Sequence, residues 1–273
     1  MPATAATSGP VRVDAGTEQL DVTVHGGIAT VVLNNQERRN ALSRAMVRAL
    51  PEVLRRLARD PGVRVVVLRG AGGRAFAAGV DITDFADTDG RSVLATFQAE
   101  YTAMLDQVRG YDRATIAMIE GACVGGGVEL ALACDLRFAA EGSRFAIPAA
   151  RLGLGYVEVE PLVAAIGAAR AAEMLFTARS FDVAELATSG LVNQVVPAER
   201  LAGLVQETAA AVARNAPLAL AASKLALRTQ AGTGALRDDP AIRAAVEACY
   251  ASRDFAEGQR AFLEKRPPQF TGG

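Results

Sequence analysis

Apolar and polar positions alternate with a period of two near the start of the chain and settle into a helical period towards its end. Leu20-Asp21-Val22-Thr23-Val24 and Ile28-Ala29-Thr30-Val31-Val32-Leu33 flank His25-Gly26-Gly27, which predicts a β-hairpin with the histidine at its tip. Met46, Val47, Leu50, Val53, Leu54 and Leu57 then recur three and four residues apart, predicting a helix over 43–60 that Pro51 kinks or restarts. The apolar run 63–68 predicts a buried strand, 97–108 a helix and 114–119 a further strand, from which a glycine turn leads directly into a helix. Residues 135–139 and 144–147 read as short strands around a turn at Glu141-Gly142, and 191–196 as the last strand, ended by Pro197. Four helices follow, over 199–215, 217–228, 240–251 and 254–264. Strands alternating with helices, then helices alone, predict an α/β core over 17–197 and a helical C-terminal region over 198–273. Residues 1–16, rich in Ala, Thr, Gly and Pro, read as a disordered tail.

Composition narrows the setting. The 273 residues, 51% of them hydrophobic, suffice for one large core. A formal charge of −1 offers no bulk attraction to nucleic acid or an anionic membrane, so neither is expected as a partner. No apolar run reaches the ~18 residues of a spanning helix, and residues 1–16 lack the basic start and apolar run of a secretory leader. Cys123, Cys134 and Cys249 lack paired spacing and read as reduced thiols, a cytoplasmic pattern. With His25 as the single histidine, a zinc site or a Ser-His-Asp triad is not expected.

The chemistry concentrates in Gly125-Gly126-Gly127-Val128-Glu129. A helix N-terminus presents unpaired N–H groups and partial positive charge, and glycine lets an oxygen approach them closely. Glu129 follows Gly126 by three residues, close to one helical turn, so a carboxylate and an oxyanion donor can share one pocket. A second glycine stretch, Gly70-Ala71-Gly72-Gly73-Arg74-Ala75, fits the letters of a dinucleotide fingerprint, but no helical pattern follows it and that reading fails. Ala78-Gly79 reads better as a second exposed backbone turn, able to aim another N–H at the same oxygen.

These segments resemble the crotonase, or enoyl-CoA hydratase/isomerase, superfamily. Phe76-Ala77-Ala78-Gly79-Val80-Asp81-Ile82 is similar to its F-x-A-G-x-D element, and 125–135 to its G-G-G-x-E-L-x-x-x-C-D element. Arg39-Asn40-Ala41-Leu42-Ser43, residues 172–179, 190–197 and 257–266 extend the likeness in order over roughly 21–270. The resemblance implies a spiral of ββα units with C-terminal helices that mediate trimer formation, as a homotrimer or a hexamer made of two trimers. It implies an acyl-CoA thioester as substrate, with no metal or organic cofactor. Ala78 and Gly126 would supply the oxyanion-hole N–H groups, and Glu129 the acid/base. Arg39, Ala41, Leu42 and Arg74 would lie near the CoA moiety, and Phe262 and Lys265 near its adenine.

One departure matters. The hydratases carry a second glutamate directly after a proline, where this chain has Pro148-Ala149, and alanine transfers no proton. The following stretch is short and carries Tyr156, Glu158 and Glu160 as candidate replacements. Three expectations stand side by side: an enoyl-CoA hydratase or double-bond isomerase using Glu129 alone or with one of these groups; an acyl-CoA decarboxylase or carbon-carbon bond hydrolase or lyase; and a catalytically silent CoA-ester-binding assembly protein. Asp81 and Asp135 read as structural.

Overall fold

The computed structural model describes residues 9–81, 91–156, 158–229 and 239–273. Two β-sheets run through it, and three successive stretches of chain each give one strand to each sheet before closing with a helix. The first is β4 (Val65–Gly70), β5 (Ala75–Ala77) and α2 (Arg91–Gly110); the second is β6 (Ala114–Ile119), β7 (Ala122–Val124) and α3 (Gly126–Ala133). The third is β8 (Leu136–Ala140), β9 (Arg144–Ala146) and α4 (Val159–Thr177). Ahead of them lie β1 (Val11–Val13), β2 (Leu20–His25), β3 (Ile28–Leu33) and α1 (Arg44–Arg59). After them come β10 (Phe181–Asp182), α5 (Val183–Leu186), β11 (Gln194–Val196) and the helices α6 (Ala198–Ala213), α7 (Pro217–Thr229), α8 (Pro240–Ala251) and α9 (Arg253–Leu263). The larger sheet has the order β1-β2-β3-β4-β6-β8-β11, antiparallel up to β3 and parallel beyond; the smaller has the order β10-β9-β7-β5. This is the ββα spiral that the resemblance implies.

The larger sheet is buried on both faces, which explains the unbroken apolar run of β4. Val66 and Leu68 join the main core with α1 and α2, while Val65 and Val67 face the other way with Ile28, Ile116 and Phe138. Leu201, Val205 and Ala209 of α6 cover that second face. Burying each of the two larger side chains stabilises by about 1.5–3 kcal/mol, so α6 is part of what holds the sheet although it lies beyond residue 197. Lys224 docks α7 onto the core, its Nζ donating to the Asp135 carboxylate at 2.8 Å and the Arg113 carbonyl at 3.0 Å. Asp135 also accepts from the Thr115 N–H and hydroxyl, the structural role read from the sequence. α8 packs on α7, and α9 on α8.

Among the differences from the sequence reading are four with a clear physical reason. Val11–Val13 pair antiparallel with Val22–Val24, so the expected tail over 1–16 contains a strand; residues 1–8 of it lie outside the described residues. The helix of residues 44–59 passes through Pro51 without restarting, its N-cap Ser43 accepting from the Met46 N–H, and all six apolar residues named above are buried. β7 intervenes between the strand at 114–119 and the glycine turn. Three residues are too few for a period of two to register, and Gly121, at φ 73°, is the corner that leads into them. The 19-residue helix α4 was not anticipated. It is Ala-rich with no narrow apolar stripe, and Gly167 (φ 75°, ψ 157°) breaks it into two helical runs. Among the described residues no helix is long and apolar enough to cross a membrane, and no group of three His, Cys, Asp or Glu side chains could hold a metal ion.

Candidate active site

The glycine turn places its donors by three separate physical requirements. Gly125, the N-cap of α3, adopts φ 51° and ψ −118°, a conformation strained for any side chain. Its N–H donates to the Ala146 carbonyl at 2.8 Å and its carbonyl accepts from Val128 and Glu129, so the N–H of Gly126 is left at the helix start with no acceptor among the described residues. Gly127 packs so close to β5 that a Cβ there would lie 2.3 Å from the Ala77 carbonyl oxygen. At Gly126 a Cβ would come within 2.7 Å of the Tyr101 hydroxyl and 3.2 Å of Val80 Cγ2. The second turn is therefore beside the first.

Ala78 does not supply the donor of that second turn. Its N–H donates to the Arg39 carbonyl at 3.1 Å. Two residues on, Leu42 forms a one-residue parallel bridge with Val80, the Leu42 N–H donating to the Gly79 carbonyl at 2.7 Å and the Asp81 N–H to the Leu42 carbonyl at 3.0 Å. Such a bridge turns the N–H of the residue between them away from Leu42. The Val80 N–H accordingly has no acceptor among the described residues. Strand alternation across 79–81 could have found it, since only the middle residue of the three faces away from Leu42. Asp81, buried, receives two bonds from the Arg38 guanidinium at 2.8 and 2.9 Å and holds this turn, as expected of a structural aspartate.

Glu129 lies in the first turn of the same helix, three residues beyond Gly126. The hydroxyl of Tyr101, on α2, donates to Glu129 Oε2 at 2.5 Å, with the Gly126 carbonyl oxygen 3.2 Å away. Burial raises the Glu129 carboxyl above the usual range, the Tyr101 hydrogen bond and the Arg109 charge oppose this, and the Glu158 charge adds to it. Tyr101, 4% exposed and stacked on Phe97, is itself pushed well above its ordinary value by burial and then by the Glu129 charge. Glu158 makes a close ion pair with Arg109 of α2. The Tyr156 hydroxyl is buried with no partner among the described residues, and its titration is raised by burial and then by Glu129 and Glu158. Glu160 is exposed in the first turn of α4 and does not join the group.

Comparison with known proteins places the whole chain. The enoyl-CoA hydratase/isomerase family model matches residues 23–273. A 2,3-dehydroadipyl-CoA hydratase of Escherichia coli is 33% identical over 250-odd residues, covering 90% of this chain and 95% of the relative. An enoyl-CoA hydratase/carnithine racemase structure from Magnetospirillum magneticum superposes with a TM-score of 0.86 at 35% identity, covering 94% of this chain and 97% of its own. An enoyl-CoA hydratase structure from Bacillus anthracis superposes with a TM-score of 0.88 at 30% identity, covering 94% of this chain and all of its own. The chain belongs to the enoyl-CoA hydratase/isomerase family.

In this family member the residues expected from the sequence divide into two sets. Glu129, Gly126, Tyr156 and Glu158 come together, and Arg39, Ala41 and Leu42 lie beside the 78–81 turn through the hydrogen bonds above. Arg74 is exposed at a sheet corner, where its carbonyl accepts from the Ala122 N–H. Phe262 is 84% exposed on α9 and Lys265 is exposed just beyond it; neither is among the groups bonded or electrostatically coupled to Glu129. Ala149 begins a 3-10 turn, Ala149–Leu152, and lines an apolar groove of about 400 Å³ with Leu154, Tyr156, Val163 and Leu175. Sequence reasoning missed Val80, Tyr101 and Arg109. The last two carry no motif, because they sit on a helix that reaches Glu129 only after the chain has wound one further turn of the spiral.

Proposed function

We propose that this protein moves a proton on an acyl-CoA thioester by way of its enolate, with the thioester oxygen held by the N–H groups of Val80 and Gly126 and with Glu129 as the acid/base. Removing a proton next to a thioester carbonyl puts negative charge on the carbonyl oxygen. Two uncommitted donors, one at a helix start and one in the 78–81 turn, would meet that charge, each worth about 2.7–4 kcal/mol in the transition state. The observation that carries the reading is one part-buried carboxyl, its titration raised by desolvation, bonded to the Tyr101 hydroxyl that also meets the turn carrying the uncommitted Gly126 N–H.

Double-bond isomerisation fits this set best. It needs one group that takes a proton from one carbon and returns it to another, and Glu129 can do both. Hydration is the second reading, favoured by Glu158, whose charge acts on Glu129 and which could handle the water in place of the acid absent at Ala149. Arg109 holds Glu158 in place through their ion pair. The thioester is substrate, and the proposed steps use no metal or organic cofactor. Arg39 and Arg74 would meet CoA phosphates, and Phe262 and Lys265 the adenine of a neighbouring subunit in a homotrimer or hexamer of this cytoplasmic enzyme.

Absorbance of the conjugated thioester tests this directly. Purified protein should create it from 3-enoyl-CoA, and consumption of it from 2-enoyl-CoA would establish hydration instead. Loss of neither signal with retained CoA-ester binding would leave the decarboxylase, carbon-carbon cleavage and silent assembly readings.

A further inference from the structure

Among the described residues the Glu129 carboxylate is tied at one oxygen only. The Tyr101 hydroxyl is 2.5 Å from Oε2, while its position against the Gly126 carbonyl oxygen fixes it to the same helix turn that carries the oxyanion donor. Gly126 leaves the room that the hydroxyl occupies, because a Cβ there would come within 2.7 Å of it. Phe97, one turn earlier on α2, stacks on the Tyr101 ring at 5.9 Å between centroids and 17° between planes, which restrains the ring.

We infer that Tyr101 is a positioning residue for Glu129: its hydroxyl occupies Oε2, so that Oε1 is the oxygen that takes the substrate proton and gives it back. A carboxyl whose Oε2 already accepts a hydrogen bond from a phenol carries its own proton on Oε1. The phenol stays protonated throughout, since burial and the Glu129 charge both oppose its ionisation. Tyr101 therefore fixes which face of the carboxyl meets the acyl chain and keeps the acid/base in register with the oxyanion donor three residues before it. The groups that face Glu129 are Tyr101 and Arg109 from α2, and Tyr156 and Glu158 from the stretch before α4.

The inference rests on the reading of Glu129 as the acid/base, and two variants keep the failures apart. In the full-length protein, Tyr101→Phe removes the hydroxyl and keeps the ring. It should lower kcat by tenfold or more with KM nearly unchanged, and should move the acid limb of the kcat/KM profile to higher pH, because the lost hydrogen bond favours ionised Glu129. Site-specific 3-fluorotyrosine at 101, a stronger donor of almost the same size, should move that limb to lower pH. A limb and kcat unchanged in both variants, with Glu129→Gln inactive, would overturn the role of Tyr101. Full activity of Glu129→Gln would overturn the reading of Glu129 itself. Should the phenylalanine variant fail to fold, the fluorotyrosine shift decides alone.

Discussion

The turn at 125–129 and the residues Tyr156 and Glu158 act on one carboxyl, that of Glu129, and they are built by opposite means. At the first, backbone does the work: a glycine at φ 51°, two more with no room for a Cβ, and an N–H with no acceptor among the described residues. At the second, side chains reach in from a short 3-10 turn and a helix start, with Tyr156 unpartnered and Glu158 held by an arginine from another layer. A backbone-defined site tolerates few sequences and so leaves a motif. One defined by side-chain reach can be met by different residues at different positions, and it fixes the reaction rather than the intermediate.

The sharpest way to break this comparison is at the carboxyl that both sides share. Glu129→Gln should lower turnover about 10²- to 10⁴-fold while the elution volume and circular dichroism stay those of the parent; retained activity would detach the glycine turn from the chemistry. Next in size is Gly126→Ala, whose methyl must displace Tyr101 or Val80. A drop of about 10²- to 10³-fold in kcat, measured with the same thioester, is expected if the turn acts through its donor. A loss confined to thermal stability would reduce it to packing.

The other side responds less. Ala149→Glu returns a carboxyl to the 3-10 turn and should raise hydration of a short 2-enoyl-CoA about tenfold, within the range for a positioned acid or base. No gain, with the fold intact, means that the stretch to Glu158 has replaced that position. Smallest is Glu158→Gln. Its charge raises the Glu129 carboxyl, and Arg109, released from its partner, lowers it, so the acid limb of kcat/KM should move to lower pH. A limb that moves upward would mean that Glu158 hydrogen-bonds rather than repels Glu129 in the working enzyme.

Much of this was readable along the chain, and the exceptions share a cause. The hairpin, the buried strand β4, the helix of Met46 to Leu57 and the donor at Gly126 announce themselves through local pattern. The motif reading chose Ala78 where the structure frees Val80, because the choice depends on which N–H groups the 39–42 segment consumes, and that segment lies almost forty residues away. β7 was too short and α4 too evenly apolar for periodicity to reveal them. Tyr101 looked like any core aromatic on α2.

By itself the sequence determined the family, the α/β spiral and the place of the glycine turn at 125–129, because glycine and apolar spacing constrain backbone within a few residues. Only the tertiary structure decided which N–H of the second turn is free, which hydroxyl bonds Glu129, and which carboxylate acts on it through its charge. Those are relations between layers of the spiral, set by distances of a few ångströms between residues that the chain keeps 25 to 40 positions apart, and no local pattern encodes them.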